Sequence, residues 1–237
     1  MRHFGGKLLA MLGLWFAVGA FSGCVDGPFY RMWYRKQWEE DEKYAQEHAL
    51  APTFYARLDE LKKLRNKAKA MGGDEQVRVA QQLTQTLTQD SCPAYRAELV
   101  RTMAVIPGPA AAAGVRLALQ DKDPSVRTIA CHALGKRQDP ESLQTLALAV
   151  AKDPDLDVRT AATKELGRFK DQEAVRALAV ALDDTDPALQ HVAVQSLHSV
   201  TGKDFGDSVP AWRQFVRGEQ VKPGEGPSLA ERLRRLF

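Results

Sequence analysis

From Cys92 to Val200 the apolar positions repeat as one phrase of 31 or 32 residues written four times. Pro93 to Arg96, Pro124 to Arg127, Leu156 to Arg159 and Pro187 to Gln190 share one phase. In each copy a small or apolar residue follows (Leu99, Ala130, Ala162, Ala193), and a larger one closes the segment (Met103, Leu134, Leu166, Leu197). A second apolar segment comes after a short turn, with Leu143, Leu146, Ala147 and Val150 in phase with Val175, Leu178, Ala179 and Leu182. Spacings of three and four predict two amphipathic helices per phrase. A single helical hairpin cannot bury its apolar stripe alone, so four in tandem predict a stacked solenoid.

The boundaries of these helices carry their own signals. Asp123, Asp155 and Asp186 precede the first helix of their units, where a carboxylate caps free N–H groups and opposes the helix dipole. Pro124 and Pro187 fall at the first helical position, where a missing N–H costs nothing. Gly135 and Gly167 are expected to stop their helices in the left-handed conformation. Small residues at Ala130, Ala133, Ala161, Ala162 and Ala193 allow close helix approach. Arg96, Arg127 and Arg159 recur once per phrase, and two uses fit them: a ladder for a ligand, or, more simply, ion pairs with aspartates between successive repeats.

The phrase from Asp123 to Arg127, the closure from Ala133 to Gly135 and the second-helix start from Asp171 to Ala174 resemble the bacterial HEAT-like repeats, the short kind also found in phycobilin lyases. The resemblance covers roughly residues 90 to 200. It implies an all-α, right-handed α-solenoid of HEAT-like hairpins that serves mainly as a binding scaffold. Fold alone does not fix function.

The flanks predict further segments. Residues 1–23 read as a signal peptide: basic Arg2 and Lys7, an apolar run from Leu8 to Phe21, then small residues before Cys24. Phe21 to Cys24 resembles the lipobox of bacterial lipoproteins, which implies acylation at Cys24 and a membrane-anchored lipoprotein of the cell envelope. Residues 24–51 follow with Phe29, Tyr30, Trp33, Tyr34 and Trp38 at helical spacing among Arg31, Arg35 and Lys36. That mix suits a juxtamembrane helix or a cap on the solenoid. Residues 52–90 read as a degenerate first hairpin, with Phe54, Leu58, Leu61 and Leu64 on one stripe and Val77, Ala80, Leu83, Thr84 and Leu87 on the next, capped by Asp74. Residues 91–200 hold the repeats. Residues 201–221 read as a capping segment in which Trp212 and Phe215 cover the last hairpin, a ligand-binding Trp212 being the other use. Residues 222–237 combine a Pro-Gly linker with a helix whose Leu229, Leu233, Leu236 and Phe237 line one side, with Arg232, Arg234 and Arg235 around the rest. Too short to be stable alone, it is expected to dock on a membrane, a partner or the solenoid.

Charge and candidate chemistry narrow the function. A net charge of +3 over 237 residues is nearly balanced, which argues against nucleic acid as partner. The basic run Lys62, Lys63, Arg65, Lys67 and Lys69 reads as a solvated helix face. Cys92 and Cys131 lie too far apart along their helices for a disulfide, and Cys131 takes a core position. His191 and His198, seven apart, have no accompanying ligand pattern, and no phosphate loop or nucleophile elbow occurs. The chain is therefore expected to be no enzyme, to need no cofactor or metal, and to act as a lipid-anchored scaffold or adaptor for a protein partner. The partner-binding candidates are Gln144, Thr145, Lys152, Arg176 and Asp183 on the second helices, with Leu233 and Leu236 at the end. A lyase or lyase subunit of the phycobilin kind is the alternative, and a nucleic-acid-binding HEAT protein the third.

Overall fold

The computed structural model describes residues 53–221. The expected signal peptide, Cys24, the aromatic segment up to residue 51, and the C-terminal helix with Leu233 and Leu236 lie outside the described residues. The chain divides into two compact units, Met1–Arg57 and Leu58–Phe237, and the helical repeats belong to the second.

The described residues form ten α-helices and one short 3-10 helix, with no strand among them. We number them α1 (Phe54–Lys67), α2 (Gly73–Gln89), α3 (Pro93–Met103), α4 (Pro109–Leu117), the 3-10 turn Ala118–Gln120, α5 (Pro124–Arg137), α6 (Pro140–Lys152), α7 (Leu156–Leu166), α8 (Gln172–Leu182), α9 (Pro187–Thr201) and α10 (Val209–Val216). Helices α3, α5, α7 and α9 are the first helices of the four phrases and stack one on the next. Helices α2, α4, α6, α8 and α10 form a second layer, in which α2 packs on α4, α6 on α8 and α8 on α10. This is an α-solenoid, built as the repeat period predicts.

The residues that close the first helices are all at 0% exposure: Met103, Leu134, Leu166 and Leu197. Ala130, Ala162 and Ala193 are equally buried beside them. Their partners in the second helices, Val115, Leu146 and Leu178, also have no exposed surface. Leu61 and Ala68 of the first described segment join the same core, and Arg65 ties α1 to α3 through Glu98 at 2.6 Å. Lys62, Lys63, Lys67 and Lys69 are exposed, as a solvated face requires.

The aspartate caps form as the sequence predicts. Asp123 accepts from Ser125 N–H, Asp155 from Asp157 and Val158, and Asp186 from Ala188 and Leu189. Asp139 and Asp171 do the same for the second helices α6 and α8. Asp74 does not cap. Helix α2 begins at Gly73 with Gly72 as its cap, two residues before Asp74, which lies within the first turn, where its charge still opposes the dipole.

The two glycines expected to stop helices do something else. Gly135 lies inside α5, and the left-handed cap is Gln138 at φ 54°. That residue offsets its strained backbone by donating its side-chain amide to Arg168 O at 3.1 Å. Gly167 caps α7 in the right-handed region. Both glycines serve close approach. A Cβ on Gly135 would run into the side chain of Glu165, and one on Gly167 would meet the Ser196 backbone at 3.1 Å. Helices α5 and α7 therefore each press a glycine against the next first helix, which is what tight stacking needs.

Candidate functional site

The edge where the second helices end is built by a repeated polar unit. Asp121, Asp153 and Asp184 stand in the turns after α4, α6 and α8, and each accepts from the N–H two residues on, at 2.8, 3.0 and 2.9 Å. Each also receives the arginine of the preceding phrase. Arg96 donates twice to Asp121, at 2.7 Å for both bonds. Arg127 does so to Asp153 at 2.8 and 2.9 Å, and Arg159 reaches Asp184 at 3.2 Å. The remaining guanidinium N–H groups close the turn before their own helix, as Arg127 does on Asp121 O and Lys122 O. Gln190 holds this phase in α9 and keeps only the turn contact, to Asp184 O at 2.6 Å.

Hydrogen bonding to Asp121 raises the Arg96 pKa despite burial, and Asp153 does the same for Arg127. Burial pushes the Asp121 carboxyl upward, but the hydrogen bonds from Arg96 and the Asp123 N–H outweigh it and hold that carboxyl below its ordinary range. The Arg96 and Asp121 side chains retain only 3% and 7% of their exposure. The arginines thus hold successive repeats together, and the ligand-ladder use gives way to the ion-pair use.

The second layer is interrupted in the middle. Among the described residues, the step from α4 to α6 lacks the close packing seen from α2 to α4 and from α6 to α8. The cause lies in α4, where Pro109 is followed by four alanines and Gly114. A Cβ on Gly114 would overlap Thr84 Oγ1 of α2 and Met103 Sδ of α3, so α4 is drawn into that side. At its start, Arg137 of α5 donates to Gly108 O at 2.8 Å and reaches Ile106 O at 3.4 Å, holding the turn that launches α4. Gly108, at φ 95°, permits that turn.

A seam is left between α4 and α6. Towards the ends of the two helices it opens into a cavity of about 430 Å³ lined by Arg116, Leu119, Arg127, Thr145, Leu148 and Lys152. Towards their starts lies one of about 480 Å³ beside Gly108, Ala112, Arg137 and Glu141. One ion pair spans the seam, Arg116 to Glu141 at 3.0 Å, and the Glu141 side chain is 71% exposed. An exposed pair of this kind holds only weakly.

A second depression of about 320 Å³ repeats the first one phrase earlier. Its Asp90, Arg96 and Leu117 correspond to Asp121, Arg127 and Leu148, each 31 residues on, and Lys122 lies on its rim. Leu117, Leu148 and Val180 share one phase and are 36%, 56% and 49% exposed. A lone exposed leucine needs no explanation, but one per repeat forms an apolar stripe along the second helices.

The candidates named from the sequence divide accordingly. Thr145 and Lys152 line the seam. Gln144 is exposed on α6, and Arg176 is exposed on α8. Asp183 is engaged with Arg213 of α10 at 2.8 Å. Arg116, Leu117, Leu148 and Lys122 were not among the candidates. The signal for Leu117 and Leu148 was an aliphatic residue two places after each buried core position at 115, 146 and 178; Arg116 and Lys122 carried none.

Other groups are committed to structure. Trp212 is fully buried, donates its indole N–H to Gly206 O at 2.9 Å and packs edge-on against Phe205 and Phe215. Cys92 and Cys131 are both free. Burial pushes the Cys131 thiol up to about 12. His191 and His198 are exposed. Among the described residues no group of three or more His, Cys, Asp or Glu side chains is placed to hold a metal. None of the described helices is long and apolar enough to cross a membrane.

Residues 80–163 and, overlapping them, 146–211 match the family of HEAT repeats. Together these matches span more than half of the chain. No curated protein matches the chain. Twelve chains of solved structures do. Among them is human deoxyhypusine hydroxylase in complex with glycerol, 21% identical with a TM-score of 0.48, over 52% of this chain and 44% of that one. The chain therefore spans under half the length of that protein. This corrects one expectation. The expectation that the chain is no enzyme, drawn from the lack of a catalytic motif in the sequence, does not stand, since a hydroxylase is among the chains matched. The HEAT part of the sequence resemblance stands, while none of these matches carries the phycobilin-lyase or lipoprotein part.

Proposed function

The chain belongs to the HEAT-repeat family, and on that premise we propose that it is a scaffold which holds a polypeptide partner along its second helices, centred on the seam between α4 and α6. The observation that carries this reading is the seam itself, an interruption in an otherwise stacked layer, flanked by the exposed Leu148 and by Thr145 and Lys152. Concave surfaces with an apolar floor and a few polar groups are where proteins receive ligands. The regular first layer supports the reading by contrast, because its apolar side chains are buried in stacking and its recurrent arginines are held in the ladder.

The place of action belongs to the same proposal. The order of a basic start, an apolar run and small residues before Cys24 supports export and acylation at that cysteine, and so a scaffold held at the bacterial cell envelope. The test is a photo-crosslinking amino acid placed at Leu148, and separately at Lys164 of the first layer, in the full chain expressed in its native cells. Adducts from Leu148 and none from Lys164 are expected, in a membrane fraction that Cys24→Ala empties. Adducts from Lys164 alone contradict the surface, and unchanged fractionation of Cys24→Ala contradicts the anchor.

A further inference from the structure

We infer that the segment bound along this edge is an acidic peptide carrying aliphatic side chains, an inference that rests on the seam being the partner surface. The charges decide it. Asp121 and Asp153 are neutralised by Arg96 and Arg127 and by backbone N–H groups. Those two carboxylates therefore do not offset the cations beside them, and Asp90, which also lines the smaller depression, accepts from the Cys92 N–H at 2.8 Å. Lys122 on the rim of one depression and Lys152 in the other are exposed and enter no ion pair among the described residues. Arg116 between them pairs, among the described residues, with Glu141, whose side chain is 71% exposed and holds it only weakly.

What remains is an exposed lysine near each of two equivalent apolar steps, Lys122 in the depression of Leu117 and Lys152 in that of Leu148. Exposed leucines gain by burial against aliphatic side chains, and lysines at the rim ask for carboxylates, which fixes partner choice more than total affinity. Because the two depressions are one repeat apart and alike, they suit one continuous segment that places a side chain in each. Nucleic acid fits less well, since the steps are aliphatic and offer no aromatic ring for a base to stack on.

The test uses the full chain and a fluorescein-labelled synthetic peptide of interspersed leucine and glutamate, followed by anisotropy. Its controls are the same peptide with lysine for glutamate and a labelled single-stranded oligonucleotide. The acidic peptide is expected to bind, to weaken as salt rises, and to lose about tenfold in affinity in the Lys122→Glu, Lys152→Glu double variant. Both lysines are exposed, so that variant should melt like the parent. Leu148→Gln is expected to weaken binding without changing the salt dependence. Equal binding of the lysine peptide, tighter binding of the oligonucleotide, or indifference to the double charge reversal overturns the inference. Crosslinks that persist from Leu148 when the acidic peptide fails would leave the seam as the partner surface with its chemistry misassigned. Loss of both would remove the surface as well.

Discussion

The two helix layers of this solenoid are made from the same repeat and behave differently. In the first, α3, α5, α7 and α9 follow one another at each step with a closing residue at 0% exposure, and glycine fits the close approach of α5 to α7 and of α7 to α9. In the second, α4 is nine residues long, rich in alanine and pulled towards α2, and the succession breaks before α6. The same tight packing that perfects one contact thus opens another. The first layer spends its apolar and arginine side chains on stacking, and the break in the second leaves an apolar step open.

The largest expected effect lies in the ladder. Arg96→Ala leaves the Asp121 carboxylate buried without its counter-ion and is expected to cost about 3–5 kcal/mol by denaturant unfolding. A loss under 1 kcal/mol would mean that the edge is held by the backbone turns alone. Close behind comes Leu134→Ala in the first layer, about 2–5 kcal/mol through the cavity it leaves. Leu148→Ala in the second layer should stay within about 0.5 kcal/mol of the parent, because its side chain is already in water. Equal effects at the two leucines would erase the distinction between the layers.

Gly114→Ala sharpens the account of why the seam exists. The added methyl must push α4 off Thr84 and Met103, at an expected cost of about 1–3 kcal/mol, and the displacement should narrow the seam and weaken crosslinking from Leu148. A milder effect concerns acid. The folded pKa of Asp121 lies below its ordinary 3.8, so the stability it contributes is present above that value and is lost as pH falls towards the folded pKa. Glu98, where hydrogen bonds from Arg65 and Arg101 outweigh the upward push of burial, adds in the same direction. Denaturant midpoints should therefore fall below about pH 4. In Arg96→Ala that acid-dependent part should shrink, since the group that depresses Asp121 is gone.

How much of this was legible in the sequence follows the same division. The first layer was readable because each copy restates it. Met103, Leu134, Leu166 and Leu197 sit in one phase, the Asp caps mark the starts, and the arginines find the aspartates of the next turn. Gly135 and Gly167 misled, because a glycine after an Ala-Leu or Glu-Leu pair looks the same whether it ends a helix or lets a neighbour in. Only the position of Glu165 and Ser196 decides between them. The seam was hidden for a related reason. It arises where α4 departs from the pattern, and the departure depends on the long-range fit of Gly114 to Thr84 and Met103, residues 30 and 11 positions away in the chain. Thr145 and Lys152 were reached because they are polar on a second helix; Leu148 was passed over because an aliphatic residue in a helical repeat reads as core.

The central claim, that the partner lies in the seam and not on the stacked first layer, is tested most directly by amide hydrogen exchange on the full chain. It would be measured alone and again in the complex recovered from native cells through the Leu148 crosslinker. The account predicts slower exchange in α4, the Ala118–Gln120 turn and α6, with α5, α7 and α9 unchanged. Protection gained along α5 and α7 with none in α4 and α6 would contradict it.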